Sequence, residues 1–211
     1  MVGAVPTHAT TLRLHSGKSG VIAYIFSKEY PLRDAVHTGM TFDIFNRHAE
    51  KIAMANVAQS VNCIHSLFVA QGDKFVRTPV YHVFDMYRSH MGARQVPVSN
   101  PVANLNVPVL AGQAHLPGLS ASASIRDRRV TLALTNPSLD SSLSLRVSFA
   151  GGARATEARA SVLTHSDMRA TNSFADPDEI KPATHPVRVV ADRLELNLPR
   201  QAVVLVECAI T

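Results

Sequence analysis

Tryptophan is absent from this sequence, cysteine occurs twice, and aromatic residues make up only 6% of it. Each shortage removes a class of function. Single-stranded nucleic acids and sugar chains are commonly held on exposed aromatic faces, so a chain this poor in rings offers few platforms for either. Cys63 and Cys208 lie in apolar runs with neither a CxxC spacing nor paired histidines. No metal site and no disulfide framework is predicted from them, and both read as small buried hydrophobes. Long apolar runs are missing as well: Val21-Ile22-Ala23-Tyr24-Ile25-Phe26 is far short of the ~20 residues that span a bilayer. Met1 is not followed by a basic stretch and a long apolar one, so no secretory leader is predicted and the expected setting is the cytoplasm.

The formal charge of +5 invites a nucleic-acid partner, but its distribution argues otherwise. The basic residues are mostly scattered arginines, and the densest cluster, Arg126-Asp127-Arg128-Arg129, contains its own carboxylate. A nucleic-acid surface needs a concentrated basic stripe. No nucleic-acid or membrane partner is expected, and no cofactor motif is visible.

What is present is a 211-residue chain, 46% hydrophobic and 18% charged, able to bury a core as one large or two small domains. Its patterning changes near residue 92. Leu32 to Glu50 has helical periodicity, with Val36, Met40, Ile44 and Phe45 as the apolar stripe and Asp34 in the first turn. Ile52 to Val57 reads as a short buried strand, and Val80 to His90 as a second helix after Thr78-Pro79. The proline-rich stretch from Gln95 to Val109 cannot be helical and reads as an extended crossing. Beyond it, short alternating runs predict strands at 119–125, 130–135, 143–149, 156–163, 187–190, 194–198 and 202–206, an antiparallel sandwich. The expected class is mainly β with an α/β remnant, divided at 1–31, 32–92 and 93–211.

Several motifs carry a specific likeness. Phe45-Asn46-Arg47-His48-Ala49, Ile52-Ala53-Met54-Ala55-Asn56-Val57-Ala58-Gln59, Thr78-Pro79-Val80-Tyr81-His82-Val83-Phe84 and Asn172-Ser173-Phe174-Ala175-Asp176-Pro177-Asp178 together resemble the C-terminal portion of glycoside hydrolase family 51 α-L-arabinofuranosidases. The resemblance implies the last helix–strand–helix part of a (β/α)8 barrel in 32–92, followed by a C-terminal β-sandwich. It also implies retaining hydrolysis of terminal α-L-arabinofuranosyl groups in hemicellulose, and a homo-oligomer. Gln59 would stand at the carboxyl end of a barrel strand, where such barrels place their sites, and in that family the matching Gln contacts the arabinofuranosyl ring. It is the one substrate-binding candidate.

The catalytic pair of that family does not carry over. Its acid/base is a Glu after an Asn and its nucleophile a Glu before a Trp. Glu29, Glu50, Glu157, Glu179, Glu195 and Glu207 all lack those neighbours. Retaining hydrolysis needs both carboxyls, about 5–5.5 Å apart. No catalytic residue is therefore assigned; the sequence reads as a truncated arabinofuranosidase, inactive alone, or alternatively as a non-catalytic sandwich module for interaction and assembly. The other polar candidates read as structural. His82 and Asp85 share a helical face without further metal-ligand spacing. His48 suits a helix C-terminus. Asn56 and Asn62 read as packing and loop partners. Asn172–Glu179 lacks the ligand pattern of a calcium loop and reads as a sandwich loop, anchored by Phe174.

Overall fold

The computed structural model describes residues 30–57, 60–100, 102–109 and 112–211. Helix α1 (Leu32–Arg47) is followed by a hairpin, β1 (Phe68–Gln71) and β2 (Lys74–Arg77), then helix α2 (Pro79–Tyr87) and a single 3-10 turn to His90. The remaining strands are β3 (Arg94–Val96), β4 (Leu105–Val109), β5 (Gly112–Leu116), β6 (Ser120–Arg126), β7 (Arg129–Asn136), β8 (Leu143–Val147), β9 (Ala155–Thr164), β10 (Ala183–His185), β11 (Arg188–Val190), β12 (Arg193–Leu198) and β13 (Ala202–Ile210). They form a six-stranded antiparallel sheet in the order β10-β9-β13-β7-β6-β3, a three-stranded sheet β11-β12-β8, and the separate hairpin β4-β5. Two of the two-residue turns lie within the sandwich sheets and share one backbone conformation. Asp127 and Arg128 join β6 to β7, and Ala191 and Asp192 join β11 to β12; all four have positive φ, as tight hairpins with the natural strand twist require.

The alternation along the central strands fixes a three-layer arrangement. On β6, Ala121 and Ala123 point between the two sheets, where they meet Leu132 and Leu134 of β7, Leu194, Leu196 and Leu198 of β12, and Val204 and Val206 of β13. The opposite face of the same sheet meets the helices: Ala133, Leu163, Val203 and Leu205 pack on Leu32, Ala35, Val36, Phe42, Val83, Met86 and Tyr87. Strand β13 is thus buried on both sides. Ser120, Ser122 and Ser124 of β6 and Thr131 and Thr135 of β7 are buried on the helix side, which makes this face small and hydroxyl-rich.

That chemistry decides which side of α1 turns inward. The sequence favours a stripe through Val36, Met40, Ile44 and Phe45, whereas the buried positions are Leu32, Asp34, Ala35, Val36, Thr38, Gly39, Phe42 and Asp43, with Ile44 left 47% exposed. The stripe is displaced by one residue because small and polar groups, not bulky ones, fit against the serine row. At Gly39 the helix comes so close that an added Cβ would stand 2.8 Å from Thr135 Oγ1 and 3.0 Å from Val203 Cγ2. Gly39→Val should therefore lower stability by about 2–3 kcal/mol through overpacking. Gly39→Ala should do less, since it recovers about 1 kcal/mol of helix propensity. Urea midpoints of the two variants check this order.

The helix ends are satisfied from elsewhere in the fold. Pro31 provides no side-chain cap for α1. The amides of Leu32 and Arg33 instead donate to the carbonyls of Ala170 (2.9 Å) and Met168 (3.0 Å), in the segment between β9 and β10. At the other end Arg47 Nη1 donates to the Ala121 carbonyl at 2.8 Å. Helix α2 follows the local rules: Thr78 Oγ1 accepts from the Tyr81 amide at 3.2 Å, with Pro79 in the first turn.

The antiparallel sandwich and both helices agree with the sequence reading, but other elements differ. Ile52 to Val57 has no regular secondary structure, and Ala53, Met54 and Asn56 are exposed. A barrel strand is held by parallel neighbours on both edges, and no described strand pairs with this one. The hairpin β1-β2 and the strands β5 and β10 are additional. Within the stretch from Gln95 to Val109, the first residues pair with β6 as an edge strand and Leu105–Val109 pairs with β5.

Candidate functional site

A buried polar network centres on Asp43, which α1 delivers to the helix–sheet interface with no solvent exposure. Ser122 Oγ donates to its Oδ1 at 2.8 Å and Thr135 Oγ1 to its Oδ2 at 3.2 Å. The Tyr87 hydroxyl lies 2.9 Å from Oδ1 and 3.1 Å from the Gly39 carbonyl. That hydroxyl has one proton for two acceptors: an ionised Asp43 draws it, and a protonated Asp43 releases it to Gly39. Asn46 Nδ2 donates to Ser122 Oγ at 3.1 Å and completes the network. Burial raises the carboxyl from its ordinary 3.8 to about 6, partly offset by the hydroxyls of Ser122, Tyr87, Ser120 and Thr135. Such a value suits a general acid, but the carboxyl touches only hydroxyls of its own fold and is closed to substrate. It is a structural lock.

One step along the same serine row stands His90. Its Nδ1 is 2.8 Å from Ser124 Oγ, and its Nε2 is buried without a hydrogen-bond partner. Burial lowers this imidazole to about 4, so it is neutral at physiological pH. His82 is buried on α2, and burial, then Arg77, holds its pKa below the ordinary 6.5. It does not pair with Asp85, which binds Arg88 at 2.9 Å instead. His48 caps α1 as expected, its amide donating to Phe45 and Asn46.

Asn172 is a second buried staple. Its Nδ2 donates to the carbonyls of Arg77 (2.9 Å) and Ile180 (2.8 Å), and its Oδ1 accepts from the Ile180 amide (2.7 Å). The segment is an ordered loop, but its apolar anchor is Ile180, with no exposure, rather than the half-buried Phe174. Asn62 is the loop partner the sequence suggests: it exchanges both amide hydrogen bonds with Ala70, at 2.8 and 2.9 Å. Gln59, the substrate-binding candidate, lies outside the described residues. Among the described residues no group of three or more His, Cys, Asp or Glu could hold a metal ion, and no helix is long and apolar enough to cross a membrane. Cys208 is buried, as expected, whereas Cys63 is only half-buried.

The hairpin β1-β2 carries a feature that composition hides. Its register places Phe68, Ala70, Phe75 and Arg77 on one face and Val69 and Val76 on the other. Val76 is buried, while Phe75 is 56% exposed. Phe75 lies 4.9 Å from Phe68 between ring centroids, Phe68 lies 5.1 Å from Tyr81, and the Arg77 guanidinium sits 5.4 Å above the Tyr81 ring. The hairpin is tied back to residue 60, whose carbonyl accepts from the amides of Leu67 (3.1 Å) and Phe68 (3.0 Å).

Comparison with known proteins agrees with this architecture. The sequence model of the α-L-arabinofuranosidase C-terminal domain matches residues 20–201. The intracellular exo-α-L-arabinofuranosidase of Bacteroides ovatus is 29% identical over 190 residues, covering 89% of this chain and 36% of that protein. The intracellular exo-α-(1→5)-L-arabinofuranosidase of Streptomyces lividans is 29% identical over 77% of this chain and 24% of its own length. The crystal structure of the glycoside hydrolase family 51 arabinofuranosidase from Xanthomonas axonopodis pv. citri superposes with a TM-score of 0.81 and 28% identity, over 92% of this chain and 39% of the other. An arabinose complex of the Thermotoga maritima enzyme shares the fold at a TM-score of 0.73 and 21% identity, over 85% of this chain and 39% of that one. The chain thus spans about a quarter to a third of the length of its curated relatives. It belongs to the α-L-arabinofuranosidase C-terminal domain family.

Proposed function

We propose that this chain serves as the non-catalytic C-terminal part of an α-L-arabinofuranosidase, acting on terminal arabinofuranosyl groups of arabinose-containing hemicellulose. The observation that carries the reading is the coverage: the helix layer and sandwich match the Xanthomonas enzyme over 92% of this chain while accounting for only 39% of that one. In this assignment residues 93–211 are the sandwich domain, 32–92 seat it against a barrel, and 1–31 lead in. Gln59 contacts the arabinofuranosyl ring. The relatives are named intracellular, which supports a cytoplasmic setting. A homo-oligomer is favoured by Met54, Val61 and Ile64, apolar side chains left 67%, 43% and 48% exposed along the segment after α1.

Hydrolysis itself needs a carboxylate nucleophile and a second carboxyl as acid/base. The sequence has neither an Asn-Glu nor a Glu-Trp pair, and Asp43, whose pKa alone would suit the work, is closed off. The purified chain should release no more aryl alcohol from an aryl α-L-arabinofuranoside than buffer does. Sustained turnover, abolished by substitution of a glutamate in this chain, would overturn the proposal.

A further inference from the structure

Resting on that reading, we propose that the aromatic stair Phe75–Phe68–Tyr81, with Arg77 beside it, is a stacking subsite for a sugar residue of an arabinose-bearing oligosaccharide.

Phe75 occupies a solvent-facing position of a four-residue strand where a polar side chain would be ordinary, and it remains 56% exposed. The exposure is not an accident of a loose loop. The hairpin is pinned from its other face by buried Val76, and from its start by the bonds of Leu67 and Phe68 to Ser60. Phe68 supports the ring at contact distance with a tilt of 30°, and Tyr81 supports Phe68 in turn with a tilt of 45°. The result is a preorganised ring presenting one open side.

A sugar presents an apolar C–H side that lies on an aromatic ring and a rim of hydroxyls that seek donors. Phe75 supplies the first, and Arg77, the exposed cation on the same face of β2, can supply the second. Two four-residue strands are small beside the roughly 800 Å² per partner of a stable protein interface, whereas one pyranose or furanose ring needs only one aromatic side chain.

The test uses the full chain and an arabinoxylo-oligosaccharide, with saturation-transfer NMR titrations of the wild type, Phe75→Ala and Phe75→Tyr. Phe75→Ala should weaken binding about tenfold, equivalent to about 1.4 kcal/mol. Phe75→Tyr, which keeps the ring, should stay within about twofold of wild type. Both should keep the wild-type melting temperature, since the ring is exposed. Binding by Phe75→Ala equal to wild type, or no saturation transfer to the oligosaccharide with the wild type, overturns the subsite. So does a Phe75→Ala effect confined to self-association in sedimentation, which would assign the stair to a protein contact. None of these outcomes bears on the hydrolysis assay, so failure of the subsite and failure of the proposed function are separately visible.

Discussion

Replacing Asp43 by asparagine should make the protein more acid-sensitive, and replacing His90 by asparagine should make it less so. The two groups titrate in opposite senses across one interface. Asp43 has its folded pKa raised from 3.8 to about 6. The folded state therefore holds this proton more tightly than the unfolded chain, and its contribution is full below about 3.8 and lost as pH rises through 6. His90 has its folded pKa lowered from 6.5 to about 4. Its contribution is full above about 6.5 and lost as pH falls through 4. Each corresponds to about 3 kcal/mol at full extent, so in the wild type they largely offset one another between pH 4 and 6.5. His82, also lowered, leans the balance toward loss in acid. Asp43→Asn leaves the histidines unopposed, and stability should fall by about 3 kcal/mol more than in wild type between pH 7 and 4. His90→Asn keeps a polar partner for Ser124 and should remove a fall of similar size. Urea unfolding at pH 4, 5, 6 and 7 reads both slopes; parallel curves for all three proteins would show that the interface does not titrate. Asp43→Ala should be worse at every pH, by about 3–5 kcal/mol, because it leaves Ser122 and Thr135 without their acceptor around a cavity.

The second large effect is expected at Asn172. Its amide joins the end of β2, just before the Thr78 cap, to Ile180, while the neighbouring Met168 and Ala170 carbonyls cap α1. Both helices are thus fastened through one segment. Asn172→Ala removes three hydrogen bonds and leaves buried backbone groups unmet, for a loss of about 3 kcal/mol. Asn172→Asp should be more damaging near neutral pH, by about 3–5 kcal/mol, although it is nearly isosteric. The two carbonyls at 2.9 and 2.8 Å would then face an acceptor-only carboxylate held out of water. Acidification should recover part of that loss. Urea midpoints give the order, and limited proteolysis within 165–182 should show where the fold opens first.

Local patterning makes much of this fold legible. The Ser-Ala-Ser-Ala-Ser run of β6 announces a strand, and the apolar halves of β7, β12 and β13 announce the sandwich. Pattern alone does not say that the serine side faces a helix and not water. That missing fact is why Ile44 was favoured over Gly39 and Asp43 for the inner side of α1, and why Asp43 was not singled out. The signal was present: Leu32, Ala35, Val36, Gly39, Phe42 and Asp43 follow the three-four spacing of one helical stripe. Ile52 to Val57 failed for a different reason. Its apolar content suits a strand, but a strand is completed by partners far away in the chain, which no local window contains. Composition misled once more at Phe75, where scarcity of rings said nothing about whether one of them is exposed. Gln59 was legible only through resemblance to other sequences.

The position of β13 has a consequence for how the protein is made. The strand synthesised last among those described, Ala202–Ile210, is the middle of the sheet, hydrogen-bonded along its length to β7 on one side and β9 on the other. Until it emerges from the ribosome, each of those strands presents a bare edge to its surroundings, and such edges recruit foreign strands. Nascent chains therefore pass through a period in which β3, β6 and β7 can pair with one another, and β9 with β10, but nothing joins the two groups. A stop codon near residue 200 would not yield a slightly shorter domain. It would yield two half-sheets with no seam between them, a substrate for chaperones and proteases.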